Sequence, residues 1–96
     1  MDIRFEWDEA KARSNLTKHH VSFENAARVF FDPLALTYQD RIEKGEYRWQ
    51  TLGVVDGYLL LLVAHTVQHD EKREVIEIIS ARRADKKERI HYEENR

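Results

Sequence analysis

The sequence contains no cysteine, a single proline and three glycines among 96 residues. Without cysteine the chain can form neither a disulfide framework nor a thiolate metal site, and it is compatible with a reducing cytosol. The longest apolar run, residues 58–64, has about a third of the length that a bilayer crossing requires. The first residues are acidic where a signal peptide would be cationic. We therefore expect a soluble, cytoplasmic protein without a signal peptide or a membrane partner.

The chain has little net charge for a protein that would hold nucleic acid through its overall field. It has 16 basic and 18 acidic residues, which gives a formal net charge of −2. Any contact with RNA or DNA must therefore be made by a local cluster of cations. The length predicts one domain over residues 1–96 with a small core.

Several common catalytic motifs are missing. The sequence has no G-x-G-x-x-G, Walker or G-x-S-x-G motif and no cysteine, which argues against nucleotide-dependent and covalent-cysteine enzymes. His65 and His69 have the spacing of a zinc-binding helix, but they lie in a strand-like segment. Positions i and i+4 of a strand are about 13 Å apart, which is too far for one ion. We expect no metal site and no cofactor.

The last two thirds of the chain predict strands joined by short turns. Segments 34–40, 46–55, 58–68 and 73–81 are rich in β-branched and aromatic residues. Asp56-Gly57 between two apolar runs is a strong hairpin signal, since a type I′ turn needs positive φ at both central positions. The run YLLLLVA does not alternate, which predicts a central strand with both faces covered.

The remaining segments predict one further strand and three helices. IRFEW reads as a short first strand, and Asp8 as the N-cap of a helix over residues 9–19. Ser22 caps a second helix that ends at Asp32-Pro33. A last helix spans roughly residues 84–94, with only Ile90 and Tyr92 as large apolar groups. The predicted fold is α+β, with a short first strand, two helices, a four-stranded antiparallel meander and a C-terminal helix.

Two clusters combine cations with other polar groups. Lys18 and His19 end the first helix, where they can interact with the helix dipole or act in proton transfer on an anionic substrate. The segment from Arg82 to Arg89 has a local charge excess of three, counting five cations against two acids. It reads either as a phosphate site at a helix N-terminus or as a solvated helix face. Arg48 and His65 lie within strands, and a strand histidine is commonly a hydrogen-bonded core residue.

Residues spread along the whole chain resemble the BrnT-type toxins, small ribonucleases of type II toxin–antitoxin systems. The first half carries Trp7, Asp8, Lys11, Asn15, Lys18, His19, Val21, Phe23, Asp32 and Pro33 at family spacing. The second half continues with Arg48, Gly53, His65, Thr66, Arg82, Glu88 and Arg89. His20 departs from the family pattern, which usually has glycine there. Histidine tolerates the left-handed backbone conformation, so we expect the turn to survive.

The resemblance implies a RelE-like fold and metal-independent RNA cleavage that inhibits translation. It also implies inhibition by a BrnA-type antitoxin, with operator DNA contacted only through the antitoxin complex. The candidate catalytic residues are Lys18, His19, Arg48, His65 and Arg82. The candidate RNA-binding residues are Arg82, Arg83, Glu88, Arg89 and Tyr92.

The roles follow from what RNA cleavage requires: cations for the phosphate charge, a base and an acid. Arg82, Arg89 and Arg48 are assigned to phosphate stabilisation. His19 beside Lys18, or alternatively His65, is assigned to proton transfer, and Glu88 to orienting an arginine. The alternative hypothesis is a non-enzymatic domain of the same fold that binds an antitoxin-like partner and acts in operon regulation.

Overall fold

The computed structural model describes residues 2–95, which form three α-helices, one short 3-10 helix and a single five-stranded sheet. In chain order the elements are β1 (Asp2–Glu6), α1 (Glu9–His19), α2 (Phe23–Arg28), the 3-10 helix (Val29–Phe31), β2 (Leu36–Glu43), β3 (Glu46–Val55), β4 (Leu59–His69), β5 (Arg73–Arg83) and α3 (Lys86–Glu94). The α+β class and the order of elements are as the sequence predicts. Across residues 2–95 no helix has the length and apolar character of a membrane span.

The sheet differs in one respect from the predicted four-stranded antiparallel meander. Strands β2 to β5 form that meander, but β1 also joins the sheet and pairs in parallel with β5, so the strand order is β1-β5-β4-β3-β2. Asp2 lies opposite Arg73 and Glu6 opposite Glu77. A pairing between segments about 70 residues apart leaves no local signal, because only the tertiary packing brings them together.

Helix caps and turns form where the sequence places them. The Asp8 carboxylate accepts the Lys11 N–H at 3.1 Å, and the Ser22 hydroxyl accepts the Asn25 N–H at 3.1 Å. His20 ends α1 in the left-handed conformation, with φ of 59°, and its N–H donates to the Leu16 carbonyl. The hairpin turn between β3 and β4 has the positive φ values that a type I′ turn requires, 57° at Asp56 and 79° at Gly57.

Apolar side chains cover both faces of the central strand β4, as its unbroken apolar run predicts. Leu61 and Val63 point to the larger cluster beneath α1 and α2, whereas Leu60 and Leu62 point to a smaller cluster beneath α3. Tyr92 completes the smaller cluster and is only 7% exposed. Helix α3 therefore docks on its own chain.

The Tyr92 hydroxyl fixes the position of α3 by donating to the Asp32 carboxylate at 2.6 Å. The same carboxylate oxygen accepts the Val54 N–H of β3 at 2.8 Å. Asp32 thus joins the end of the 3-10 helix, β3 and α3. Tyr92, a sequence-based candidate for RNA binding, is instead a core residue of this junction, because burying its ring is more favourable than exposing it.

Candidate active site

An open groove lies on the α3 side of the sheet, next to α1, where small side chains form the floor. It consists of three adjoining cavities of about 270, 380 and 260 Å³, and Ser80 of β5 lines all of them. The polar side chains of this basic groove are Lys11, Ser14, Asn15, Lys18, His19, Asp40, Arg41, Glu43, Lys44, Arg48, Gln50, Ser80 and Arg82. Six of them are lysine or arginine and two are acidic. A chain of net charge −2 thus has a local site that favours an anion.

Asn15 determines how α1 meets the sheet along this groove. Strand β1 ends at Glu6, so the last part of β5 has no neighbouring strand on that side. The Asn15 amide makes the hydrogen bonds that a neighbouring strand would make there. It donates to the Ala81 carbonyl at 2.9 Å and accepts the Ala81 N–H at 3.0 Å. It also donates to the Val21 carbonyl at 2.9 Å. A buried amide with all three bonds made holds the end of α1 beside residues 80–82.

Lys18 and His19 lie in the exposed last turn of α1, at one wall of the groove. His19 shares a cavity with Gln50 and Arg82, and Lys18 shares the adjoining cavity with His19 and Lys11. The structure therefore brings the end of α1 next to the end of β5. The sequence identifies Lys18, His19 and Arg82 as candidates, but it does not predict that they lie close together. That proximity depends on the Asn15 contact.

Arg82 is held in one orientation by Glu88. Its two terminal nitrogens donate to the two oxygens of the Glu88 carboxylate, each at 2.8 Å, and one also donates to the Arg83 carbonyl at 3.2 Å. The Arg82 side chain is 41% exposed and lines the groove. The hydrogen bond to Glu88 raises the pKa of Arg82 further, and the cation stays charged at all physiological pH values.

The start of α3 differs from the anion site that the sequence suggested there. Asp85 is its N-cap and accepts the Glu88 N–H at 2.8 Å, while Glu88 accepts the Asp85 N–H at 2.8 Å. This capping box brings two carboxylates to the first turn. A phosphate would meet those acids, so the helix N-terminus itself is a poor anion site and Arg82 is the group that remains available.

Arg48 lies in β3, on the groove side, with a side chain that is 19% exposed. Its carboxylate partners are distant: Glu43 at 3.7 Å and Glu46 at 3.9 Å. The Nε–H is buried and has no hydrogen-bond partner within residues 2–95. The acceptor near this donor is the Glu43 carboxylate, 3.7 Å from Nε and beyond hydrogen-bond distance.

His65 lies on the opposite face of the sheet from the groove and is 1% exposed. Its Nδ1–H donates to the Thr66 carbonyl at 3.1 Å, which leaves Nε2 to accept the Thr51 hydroxyl at 2.7 Å. The ring of Phe30 packs edge-on against the imidazole, with centroids 4.8 Å apart. Burial lowers the pKa of His65, so the ring is neutral near pH 7. The structure does not bring this candidate together with Lys18, His19, Arg48 and Arg82.

The remaining RNA-binding candidates lie near Arg82 but outside the groove. The side chains of Arg83 and Arg89 are exposed and make no ion pair among the residues that the structure describes. Glu88 is occupied by Arg82 and the helix cap. Arg83 and Arg89 can therefore add a cationic margin to the groove, while Glu88 acts through Arg82.

Sequence reasoning missed several groups that line the groove, above all Gln50 and Ser80. Gln50 is two residues from Arg48 and Ser80 is two residues from Arg82, so strand periodicity places each pair on one face. That signal could have linked Gln50 to Arg48 on β3 and Ser80 to Arg82 on β5. The proximity of the two pairs depends on the register Gln50–Ala64–Ser80 across β3, β4 and β5, which is not readable from local pattern.

The groove has a guanidinium group in each of two adjoining cavities, Arg48 in one and Arg82 in the other, and the His19 imidazole shares the cavity of Arg82. Arginines bind phosphate oxygens and stabilise charge that builds up during a displacement, and histidine transfers protons near neutral pH. Within residues 2–95 no three histidine, cysteine or acidic side chains are placed to hold a metal ion together. The groups present fit acid–base chemistry on a phosphodiester.

Comparisons with known proteins show the family and the fold of the chain. A family model described as "Ribonuclease toxin, BrnT, of type II toxin-antitoxin system" matches residues 7–88. The chain belongs to the BrnT family. Among solved structures it is similar to the crystal structure of the Brucella abortus ribonuclease toxin, BrnT, with a TM-score of 0.68 and 22% identity over 90% of this chain and 100% of the other. The comparison with curated proteins gives no match.

The family match includes every polar residue of the groove in this BrnT chain, since it extends from Trp7 to Glu88. A type II toxin–antitoxin family also implies an antitoxin as partner. The likeness to the Brucella BrnT structure establishes the fold, a mixed sheet with three helices, which positions α1 and β5 as described.

Proposed function

We propose that this BrnT-family chain, as one domain of RelE-like fold over residues 1–96, cleaves RNA without a metal ion and thereby inhibits translation and growth. One observation carries the proposal: Lys18, His19, Arg48 and Arg82, from three elements, line one groove. Cations from α1, β3 and β5 around a histidine match the groups that phosphodiester cleavage needs.

The reaction assigned to the groove is attack of a ribose 2′-oxygen on the adjacent phosphorus. His19 takes the 2′-OH proton as the new P–O2′ bond forms, and the P–O5′ bond breaks as the 5′-oxygen takes that proton from the His19 imidazolium. The products are a 2′,3′-cyclic phosphate and a free 5′-hydroxyl. Arg82 and Arg48 stabilise the negative charge on the phosphorane, and Lys18 adds positive charge beside His19.

Glu88 acts as a positioning residue in this proposal. It neutralises part of the Arg82 charge, but it fixes both terminal nitrogens of the guanidinium by two bonds of 2.8 Å. A fixed guanidinium loses little conformational freedom when it binds phosphate. The nitrogen–hydrogen groups that Glu88 does not engage are then presented to the groove in one orientation.

The partner assigned to this toxin is a BrnA-type antitoxin in the cytoplasm, with operator DNA bound only through the complex. Large apolar side chains are available for such a partner: Phe31 is 69% exposed, Ile42 59%, Tyr47 54% and Tyr58 76%. Burial of such side chains is a main source of affinity at protein interfaces.

The test in cells is induction of the chain alone in a bacterium, with growth, bulk RNA and protein synthesis measured over time. Wild type should arrest growth and degrade RNA, and co-expression of the antitoxin should restore growth. Arg82→Ala and His19→Ala, verified as folded by circular dichroism, should leave RNA intact. Lys87→Ala, which removes an exposed cation of α3, is the matched control and should behave as wild type.

The test in solution separates the ribonuclease from the non-enzymatic interaction domain. Purified wild type should cleave RNA in the presence of EDTA and leave 2′,3′-cyclic phosphate ends. Cleavage that stops in EDTA and resumes with added divalent ions would contradict metal independence. A folded wild type that binds the antitoxin but cleaves no RNA, in cells or in solution, would favour the interaction domain.

A further inference from the structure

Gln50 occupies a position in the basic groove that neither the fold nor the assigned cleavage chemistry explains. It shares the cavity of about 270 Å³ with His19, Ser80 and Arg82. Its side chain is half-buried, yet within residues 2–95 the amide makes no hydrogen bond, although Asn15 nearby makes all of its own. A half-buried amide beside the reaction centre therefore has one acceptor and two donors available for a ligand.

The surrounding strands leave room in front of this amide. Gln50 lies opposite Ala64 on β4, and Ala64 in turn lies opposite Ser80 on β5. Ala64 and Ser80 have short side chains, so the floor of the cavity is low between Gln50 on one side and His19 of α1 on the other. A flat group can enter this space and meet the amide edge-on.

On its other side Gln50 lies opposite Tyr38 of β2. The Tyr38 ring packs on the apolar cluster beneath α3 and meets the His91 ring edge-on, with centroids 6.3 Å apart. Arg82 and Glu88 are close enough to Tyr38 to affect its ionisation. Tyr38 therefore borders Gln50 on the β2 side, and the free amide is the group that lines the cavity and can bond to the edge of an unpaired base.

We propose that Gln50 binds a nucleobase next to the cleaved phosphate and sets the base preference of the toxin. A carboxamide presents a donor and an acceptor side by side, which matches adenine best through its N6 and N7 atoms. The expected preference is therefore adenine at a fixed position adjoining the cleaved bond. This inference rests on the ribonuclease function proposed above.

The experiment compares cleavage of a short RNA pool with randomised sequence by wild type, Gln50→Ala and Gln50→Glu, with the new ends mapped by sequencing. Wild type should favour adenine about fivefold or more at one position. Gln50→Ala should lose that preference, so that the ratio of cleavage at adenine sites to cleavage at other sites falls at least fivefold, to about one. Gln50→Glu, which offers only acceptors, should shift the preference toward cytosine, whose N4 amino group donates.

Two controls make the outcomes separable. Gln39→Ala removes the same amide from β2 on the opposite face of the sheet, and should keep the wild-type pattern. In a binding arm, the inactive His19→Ala variant should bind an adenine-containing oligonucleotide more tightly than oligouridine of the same length, and His19→Ala with Gln50→Ala should not.

The base-recognition inference is overturned if wild type cleaves without base preference, or if Gln50→Ala keeps the preference, while cleavage itself persists. Absence of any cleavage by folded wild type overturns the ribonuclease function instead. In that case, equal binding of the two oligonucleotides by the His19→Ala variant overturns the base site as well.

Discussion

At the scale of single residues, Glu88 links the stability of α3 to the arrangement of the groove. Its carboxylate accepts one hydrogen bond from the Asp85 N–H at the start of the helix. It also accepts hydrogen bonds from the two terminal nitrogens of Arg82. A helix cap and an arginine orientation thus depend on one side chain. Because the capping box needs only an oxygen acceptor and the ion pair needs a charge, a glutamine can separate the two.

Glu88→Gln should therefore reduce RNA cleavage about tenfold, since a less constrained Arg82 binds the phosphate in more than one orientation. The free energy of unfolding should fall by about 1 kcal/mol or less, because the Arg82 side of the pair is 41% exposed and solvent screens it. Initial cleavage rates and urea unfolding measure the two effects. Lys87→Ala should change neither, and an unaltered rate in Glu88→Gln would contradict the positioning role.

His65 gives the second residue-scale prediction, which concerns pH. Burial lowers the pKa of His65 in the folded protein below the ordinary 6.5. At pH values between the folded pKa and 6.5, the unfolded chain therefore takes up a proton at this ring that the folded chain does not. The contribution to stability is complete above about pH 6.5 and is lost progressively as the pH falls toward the folded pKa, by at most about 1.4 kcal/mol per pH unit.

The measurement is urea unfolding at about pH 5, 6, 7 and 8 for wild type and His65→Gln, which cannot titrate. The difference in unfolding free energy between the two proteins should shrink as the pH falls below about 6.5. Parallel pH curves for both proteins would show that His65 is not the group responsible.

At the scale of elements, local chemistry predicts most of the boundaries. Asp8, Ser22 and the Asp56-Gly57 turn carry their signals within four residues, and the structure confirms each one. The parallel pairing of β1 with β5 carries no such signal, because it depends on packing between distant segments. The same reason explains why Lys18, His19 and Arg82 were recognisable as candidates while their shared groove was not.

Asn15 provides the element-scale prediction, since its amide joins α1 to β5. Asn15→Ala leaves the Ala81 N–H and carbonyl and the Val21 carbonyl without that partner in a buried site. The free energy of unfolding should fall by about 2 to 3 kcal/mol. Ser14→Ala, at the exposed neighbouring position, should change it by less than about 0.5 kcal/mol.

Urea unfolding measures both variants, and amide hydrogen exchange locates the effect. Protection should fall first at Ala81, whose N–H donates to Asn15 at 3.0 Å in the wild type. Equal stability of Asn15→Ala and Ser14→Ala would show that α1 is held on the sheet by its apolar contacts alone.

At the scale of the whole molecule, the two faces of the sheet have different surroundings. Helices α1 and α2 cover the larger apolar cluster on one face, whereas α3 covers only the smaller cluster on the other. The part of that face beside α3 carries the basic groove. A small fold thereby combines a complete core with an open polar surface, and concentrates cations there although the net charge is −2.

This distribution predicts how RNA binding depends on salt. If the groove contacts three or four phosphates, log Kd should rise with log salt concentration with a slope of about 2 to 3. The measurement uses the His19→Ala variant and a labelled single-stranded oligonucleotide, so that binding is observed without cleavage. Lys11→Ala, which removes one groove cation, should lower the slope by about 0.7.

The matched control is Lys72→Ala, in the exposed turn that precedes β5, at the opposite end of that strand from Arg82. Its loss changes the net charge by the same amount as Lys11→Ala but lies away from the groove, so the slope should stay at the His19→Ala value. If the Lys11 and Lys72 variants lower the slope by the same amount, RNA responds to the total charge of the protein. A slope near zero would mean that phosphates do not enter the groove. A lower slope for Lys11→Ala alone is the result that a local site requires.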